Sequence, residues 1–304
     1  VSTKTVAVTG ATGFVGSTLL KAATNQGLQV RALTRRPQPE MAGVTWIEGA
    51  LNTPDSLARL VEGADAVIHV AGVVNAPTRD GFEQGNIRGT EAIVAATKAA
   101  GVKRFVHVSS LAAREPQLSV YGWSKAEAER VVAASGLDWA MVRPPAIYGP
   151  GDMEMLDIFK MAKTGVVLMP PAGHLSVIHA GDLATLLLAL TGHNAPNGHI
   201  FEVDDGTANG WTHAAFAKAI AAALSRRALV LSTPRPILKL GSILDRLLRG
   251  NKAKLSADRV NYFCHPDWRI DPAKRPEAEL WVPQIETRVG LAETAAAYRT
   301  AGLI

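Results

Sequence analysis

Short apolar runs rich in β-branched residues recur through the first two hundred residues, separated by longer stretches with helical spacing. The runs Thr5–Thr9, Gln29–Thr34, Val44–Glu48, Ala66–Val70, Arg104–Ser109 and Asp138–Arg143 predict six strands. Between them, Phe14–Gln26, Asn86–Ala100 and Tyr121–Ser135 have the length and periodicity of helices. Ala66-Val67-Ile68-His69-Val70 is nearly all apolar rather than alternating, which implies a sheet covered on both faces. This alternation predicts βαβ units and an α/β fold with a doubly wound parallel sheet.

The pattern loosens after Pro150-Gly151-Asp152. Helices are expected at Met153–Thr164, Asp182–Leu190 and Thr212–Leu224, and strands at Val166–Met169, Ser176–His179 and His199–Val203. Pro234–Ile304 reads as mostly helical, broken at Gly250, Pro266, Pro272 and Pro283. The expected division is residues 1–150 as the sheet domain, completed by parts of 177–205, and 151–304 as a smaller, mostly helical lobe interleaved with it. The single cysteine, Cys264, excludes an internal disulfide framework and a cysteine metal cluster. No apolar run approaches the roughly 20 residues of a membrane span. Val1-Ser2-Thr3-Lys4-Thr5 enters a strand at once, with no room for a signal peptide, so a cytoplasmic location is expected. The net charge is +5, but Arg226–Lys254 alone carries +7. The basicity belongs to one segment with no recognition motif, which does not suggest nucleic acid.

Val6-Ala7-Val8-Thr9-Gly10-Ala11-Thr12-Gly13-Phe14-Val15-Gly16 is a strand, a tight turn and a helix start. Gly10 permits the turn, Gly13 lets backbone approach a diphosphate, and Gly16 packs helix on strand, while the helix N-terminus offers N–H groups to the anion. In its βαβ setting this predicts a dinucleotide site of Rossmann type. The end of the second strand, Thr34-Arg35-Arg36, lacks the acid that holds an adenosine ribose 2′-hydroxyl. Arginines there suit a 2′-phosphate, so NADP(H) is favoured, with NAD(H) compatible.

Tyr121-Gly122-Trp123-Ser124-Lys125 opens a helix, and residues four apart share a face, so the phenol and the ammonium converge. A free tyrosine titrates near pH 10. A neighbouring ammonium favours phenolate and brings the phenol towards useful acid–base behaviour. A carbonyl accepting hydride needs such a proton donor and a hydrogen bond to its developing oxyanion. Ser110, at the end of the strand Arg104–Ser109, supplies the second group, with Ser109 as the alternative.

With these features the chain resembles the extended short-chain dehydrogenases/reductases of the NAD-dependent epimerase/dehydratase type. The matching segments are TGATGFVG at 9–16, VIHVAG at 67–72, NIRGT at 86–90, VHVSS at 106–110, YGWSK at 121–125, RPPAIYGPGD at 143–152 and IHAGDLA at 178–184. The resemblance implies proton transfer by Tyr121, Lys125 bonding the nicotinamide ribose, carbonyl polarisation by Ser110, and a part for Asn86. It implies a cofactor held by Gly10, Thr12, Gly13, Phe14, Val15, Gly16, Thr34, Arg35, Arg36, Leu51, Val70, Ala71, Gly72, Val108, Ser109, Tyr121, Lys125, Pro144 and Ala146. Two departures stand out: Gly49-Ala50-Leu51 lacks the Asp that often meets adenine, and Thr34-Arg35 replaces the acidic NAD signature.

The resulting expectation is an NADP(H)-preferring enzyme interconverting a ketone and a secondary alcohol on a hydrophobic small molecule. The substrate would enter between sheet and lobe, near Trp211, Leu255, Tyr262, Phe263 and Trp268. A nucleotide-sugar epimerase or dehydratase, with Arg259 and Arg269 as phosphate ligands, is the first alternative. A non-catalytic NADP(H)-binding scaffold is the second. His69 and His107 read as hydrogen-bonded interior residues, His174 and His179 as pocket or turn residues, and Glu127 and Glu129 as exposed helix charges. Cys264, His265 and Asp267 do not make a metal site. Pro236–Arg249 is an amphipathic, basic helix expected to pack on the lobe, with membrane-surface contact as the other reading. A homodimer is compatible with the resemblance.

Overall fold

In the computed structural model, which describes residues 4–192, 194–250 and 255–304, β1 (Thr5–Thr9), β2 (Gln29–Thr34), β3 (Val44–Glu48), β4 (Ala66–His69), β5 (Arg104–Val108) and β6 (Asp138–Arg143) lie in one parallel sheet. A seventh strand, His199–Glu202, pairs in parallel with β6 and closes that edge. The order is His199–Glu202, β6, β5, β4, β1, β2, β3, so the chain reverses direction between β1 and β4. Open sheets of this kind bind ligands at the carboxyl ends of the strands beside such a reversal. Val1–Thr3, Lys252 and Lys254, used above in reading the sequence, lie outside the described residues.

The helices are α1 (Phe14–Asn25), α2 (Pro54–Val61), α3 (Arg79–Phe82), α4 (Gly89–Ala99) and α5 (Val120–Ala133). On one sheet face, Ala7, Val67, Phe105 and Met141 pack with Leu57 and Leu60 of α2, Ile93 of α4 and Val132 of α5. Strand residues two apart share a face, so Thr9, His69, His107 and Arg143 project towards the same helical layer. That alternation brings polar groups into an otherwise apolar interior at one end of the strands. β1 and β2 are parallel neighbours, and the right-handed crossover rule puts the connecting α1 on the opposite face.

Contacts group the chain into two units. One is Val1–Arg143 with Gly181–Glu202 and Lys274–Val282; the other is Pro144–Ala180 with Val203–Ala273 and Pro283–Ile304. Among its described residues the second unit holds three small sheets, including the parallel pair Val166–Met169 with Leu229–Ser232. Its core gathers Tyr148, Phe159, Phe216, Leu291 and Tyr298. His174 and His179, open between pocket and turn in the sequence, both belong to strands there, and His179 is buried against the edge of Tyr148.

The helix Arg235–Arg249 forms as its periodicity predicts, but it does not pack by its apolar face. Ser242 is buried, Gly241 and Asp245 are half-buried, and Asp245 Oδ2 accepts from Leu255 N at 2.8 Å. Ile237, Leu240, Ile243, Leu244, Leu247 and Leu248 remain exposed. Small and polar residues allow the closer approach, and the expected burial of the leucine face is corrected accordingly. Among the described residues no helix is long and apolar enough to cross a membrane.

Candidate active site

The glycine turn closes as a Gly13 N–H to Gly10 carbonyl bond of 3.0 Å. Gly10 has φ +72°, and a Cβ on it would lie 2.5 Å from Ala71 N, so the turn rests directly on the loop after β4. A Cβ on Gly16 would meet the Gly10 carbonyl oxygen at 2.0 Å, which locks α1 against the turn. α1 begins without a side-chain cap and without an acid in its first turn. Its free N–H groups therefore have no carboxylate of the first turn competing for them. A cradle that only glycine permits, at an uncapped helix N-terminus, fits a dinucleotide diphosphate. Thr12 is exposed, and Phe14 and Val15 are half-buried at the mouth of the turn.

Below this turn runs a directional chain of hydrogen bonds that sequence reasoning did not find. Thr90 Oγ1 donates to the Asn86 carbonyl at 2.6 Å, which leaves its oxygen to accept from His69 Nε2 at 3.1 Å. His69 Nδ1 then accepts from the Thr9 hydroxyl at 2.6 Å, and Thr9 Oγ1 accepts from Ala71 N at 3.3 Å. The bonding pattern assigns His69 the Nε2–H tautomer. Burial, reinforced by the Lys125 charge, pushes its pKa down to about 3, so the ring stays neutral. His107 stacks on it at 5.4 Å, and burial holds its pKa well below the usual histidine range. Neither His107 nitrogen has a hydrogen-bond partner among the described residues, contrary to expectation. The relay was visible in principle as polar Thr9 and His69 at strand ends, in register across β1 and β4.

Asn86 lies in a π-helical turn, Glu83–Arg88. Its Oδ1 accepts from Val73 N at 2.6 Å, and its Nδ2 donates to Val73 O at 3.0 Å and to Ser124 Oγ at 2.8 Å. It thus clamps the loop after β4 to α5. Ser124, which the sequence reading passed over, relays the clamp by donating to the Tyr121 carbonyl at 2.8 Å.

α5 starts at a Ser119 cap, whose Oγ accepts from Gly122 N at 2.9 Å. A Cβ on Gly122 would lie 2.7 Å from the Ala112 carbonyl, so glycine brings α5 onto the 3₁₀ turn Leu111–Arg114. Ser110 caps that turn, its Oγ accepting from Ala112 N at 3.2 Å. Tyr121 is half-buried with its ring 6.2 Å from Phe82, and one turn on, Lys125 is buried. Lys125 Nζ donates to the Val108 carbonyl at 2.9 Å. A Cβ on Gly72 would sit 3.1 Å from that nitrogen and 3.3 Å from Asn86 Oδ1. Burial pushes the Lys125 ammonium down to about 8, opposed by the Glu129 carboxylate.

Glu129 is a correction: it is buried, not an exposed helix charge. Arg143 holds it through Nε to Oε1 at 2.8 Å and Nη2 to Oε2 at 2.6 Å, and the Ser109 hydroxyl donates to Oε1 at 2.5 Å. Arg143 also reaches the fully buried Glu202 at 3.4 Å, where Arg114 and Lys274 converge at 3.4 Å each. Glu127 instead pairs with Arg130 near the surface. The only local signal for the network was an arginine and a glutamate ending strands that turn out to be neighbours. The Ser109 hydroxyl is thereby directed to Glu129.

At the far end of the turn, Thr34 is buried and its hydroxyl donates to the Arg36 carbonyl at 2.6 Å, which shapes the bend and leaves Arg35 and Arg36 exposed. Ser56 Oγ donates to the Ala50 carbonyl at 3.2 Å, and Leu51 packs against Gly89. Val70 and Ala71 are half-buried in the loop after β4. Pro144 and Ala146 follow β6 and belong to the second unit, Ala146 in a strand paired with Val177. In that unit Asp267 pairs with Arg269 at 2.7 Å, and the His265 ring lies 4.7 Å from that of Trp268, tilted by 45°.

Residues 10–162 match the family described as NAD(P)H-binding. A ceramide reductase of Caulobacter vibrioides is 36% identical over 98% of this chain and 95% of its own length. A 2-alkyl-3-oxoalkanoate reductase of Stenotrophomonas maltophilia is 30% identical over 94% of this chain and 97% of its own. The Bordetella bronchiseptica enzyme WbmG, solved in complex with NAD, shares the fold at a TM-score of 0.77 and 19% identity, covering 99% of this chain and 96% of that one. The glycine turn, the strand order and these full-length likenesses agree: the chain belongs to the extended short-chain dehydrogenase/reductase family and is an NAD(P)-dependent oxidoreductase.

Proposed function

We propose that the enzyme reduces a ketone to a secondary alcohol on a hydrophobic substrate, with Tyr121 as proton donor and NADP(H) preferred over NAD(H). The observation that carries this reading is the loop after β4. Ala71 abuts the glycine turn at Gly10, and the next residue, Gly72, abuts Lys125 Nζ and Asn86. Diphosphate cradle and ammonium are thus joined through two consecutive residues. Gly10, Thr12, Gly13 and the start of α1 would hold the diphosphate, and Arg35 and Arg36 a 2′-phosphate. When bound, the cofactor supplies the hydride. Tyr121 gives its phenol proton to the carbonyl oxygen, Ser110 donates a hydrogen bond to the same oxygen, and the phenolate left behind is stabilised by the Lys125 ammonium.

The hydrophobic substrate class draws support from the two relatives that match at full length, named as reductases of a ceramide and of a 2-alkyl-3-oxoalkanoate. The sugar-nucleotide alternative asked for cations at Arg259 and Arg269, and these guanidiniums pair with Glu154 and Asp267, each at 2.7 Å. The deciding experiment supplies NADPH with a panel of long-chain 3-oxo lipids, and in parallel with UDP-sugars. Ketone-dependent NADPH oxidation is expected. Sugar turnover with no net cofactor change, or silence towards every hydrophobic ketone, overturns the reading.

Arg35→Ala should raise the KM for NADPH on the order of ten- to a hundred-fold, the worth of one charge-assisted hydrogen bond. The KM for NADH should barely move. Equal effects on both cofactors would remove Arg35 from 2′-phosphate recognition.

The pH profile should carry the signature of Lys125. Its ammonium is charged below about 8 and neutral above. Ketone reduction, measured as kcat/KM, is therefore expected to fall as pH rises through that value. Lys125→Met should be slower and should lack this limb; a limb that survives unchanged in the variant assigns it to another group.

A further inference from the structure

Ten of the fourteen large apolar side chains left exposed among the described residues come from two stretches, 166–168 and 229–248. Val166, Leu168, Leu229 and Leu231 share one face of the paired strands, because Leu229 stands opposite Val166 and Leu231 opposite Leu168. Two residues after Leu229–Ser232 the chain enters the helix Arg235–Arg249, with Ile237, Leu240, Leu244, Leu247 and Leu248 along one stripe and Ile243 at its side. Leu247 and Leu248 are 76% and 85% exposed, values far from those of a core residue. Exposed apolar side chains concentrated in this way mark contact with another phase or partner.

The charges nearby select the occupant. Arg226, Arg227, Arg235, Lys239 and Arg249, in the same stretch of chain, are exposed. Asp245, the one acid between 226 and 254, is half-buried and engaged by Arg249 at 3.3 Å and by Leu255 N. A second copy of the chain meeting this face about a twofold axis would bring basic residues against basic residues. An anionic lipid surface offers the opposite charge and an apolar layer at the depth an in-plane helix reaches.

We propose that the helix Arg235–Arg249, together with the exposed leucines of Leu229–Ser232, docks the enzyme on the surface of an anionic membrane, lying in the interface rather than crossing it. This goes beyond the reductase reading and does not rest on it, since vesicle binding is read without turnover.

The test is flotation of the full chain with vesicles of phosphatidylcholine alone and of phosphatidylcholine mixed with phosphatidylglycerol, at low and high salt. Binding to the anionic vesicles should exceed binding to the neutral ones by roughly ten-fold or more and should fall as salt screens the basic residues. The double variant Leu247→Asp, Leu248→Asp should lose vesicle binding while its light-scattering mass and its NADPH oxidation stay those of the wild type. Should that variant fail to fold, Arg227→Glu with Lys239→Glu, which leaves the apolar face intact, should abolish the preference for anionic lipid. Equal binding to both vesicle types, or none to either, overturns the proposal. So does a wild-type dimer that the leucine variant converts to monomer without any change in vesicle partition, because the face is then a contact between copies.

Discussion

Tyr121→Phe is expected to lower kcat for ketone reduction by about 10²- to 10⁴-fold, the usual worth of a positioned general acid. Cofactor affinity and the thermal midpoint should stay near wild type. The substitution removes one oxygen and keeps the ring that packs 6.2 Å from Phe82. The Ser124 bond to position 121 goes to the backbone carbonyl, so the α5 clamp survives the change. Loss of turnover with NADPH binding intact, followed by fluorescence titration, isolates the proton donor. Undiminished turnover would remove Tyr121 from the reaction. If the variant bound NADPH and the parent enzyme turned over no ketone at all, the scaffold reading would gain ground.

The second large effect falls on stability. Glu129→Ala leaves the half-buried Arg143 guanidinium without its bidentate partner and takes the acceptor from the Ser109 hydroxyl. Breaking a buried pair from one side costs about 3–5 kcal/mol, a large share of a typical folding free energy of roughly 5–15 kcal/mol. The thermal midpoint should drop by about 6 °C or more. Adding Arg143→Met to the alanine variant should recover much of this, because replacing both charges by apolar groups removes the orphaned one. A single variant melting with the wild type would show that Glu202 alone compensates Arg143.

Glu129 also has a kinetic readout that a purely structural residue would lack. Its carboxylate raises the Lys125 pKa against the lowering by burial. In Glu129→Gln, if folded, the pH limb of ketone reduction should therefore move below about 8. That shift, if measured, identifies Glu129 as a positioning residue that acts through Lys125.

Much of this was readable before any coordinates. β1, β2, β3 and β6 begin and end where their β-rich runs do, since β-branched and aromatic residues favour the pleated sheet and Gly or Pro follows β1, β3 and β6. The glycine turn was equally legible, since backbone approach at Gly10 and Gly16 leaves no alternative residue. The start of the helical stretch at 79–85 was not: the expected helix opened at Asn86, yet the chain is helical from Arg79 onwards, through Gly81 and Gly85. Glycine at 85 serves close packing, since a Cβ there would lie 2.3 Å from Val73. Glu129 was misread for a similar reason, as its partner comes from a strand end fourteen residues on. Helix periodicity reports which side is apolar, and at 235–249 it correctly found a leucine stripe. It does not report which side the rest of the protein will cover.

The strand His199–Glu202 carries a consequence for how the enzyme is made. It is the outermost strand of the sheet on its side, yet it arrives after a long excursion through residues 144–180. A nascent chain that has emerged only as far as Arg143 exposes β6 as a raw edge and has Arg143 without Glu202. Such an intermediate invites edge-to-edge pairing with its neighbours on a polysome. The last cation to reach Glu202, Lys274, emerges later still. Slow translation through residues 144–202 should therefore lower soluble yield, and chaperone capture during synthesis should raise it.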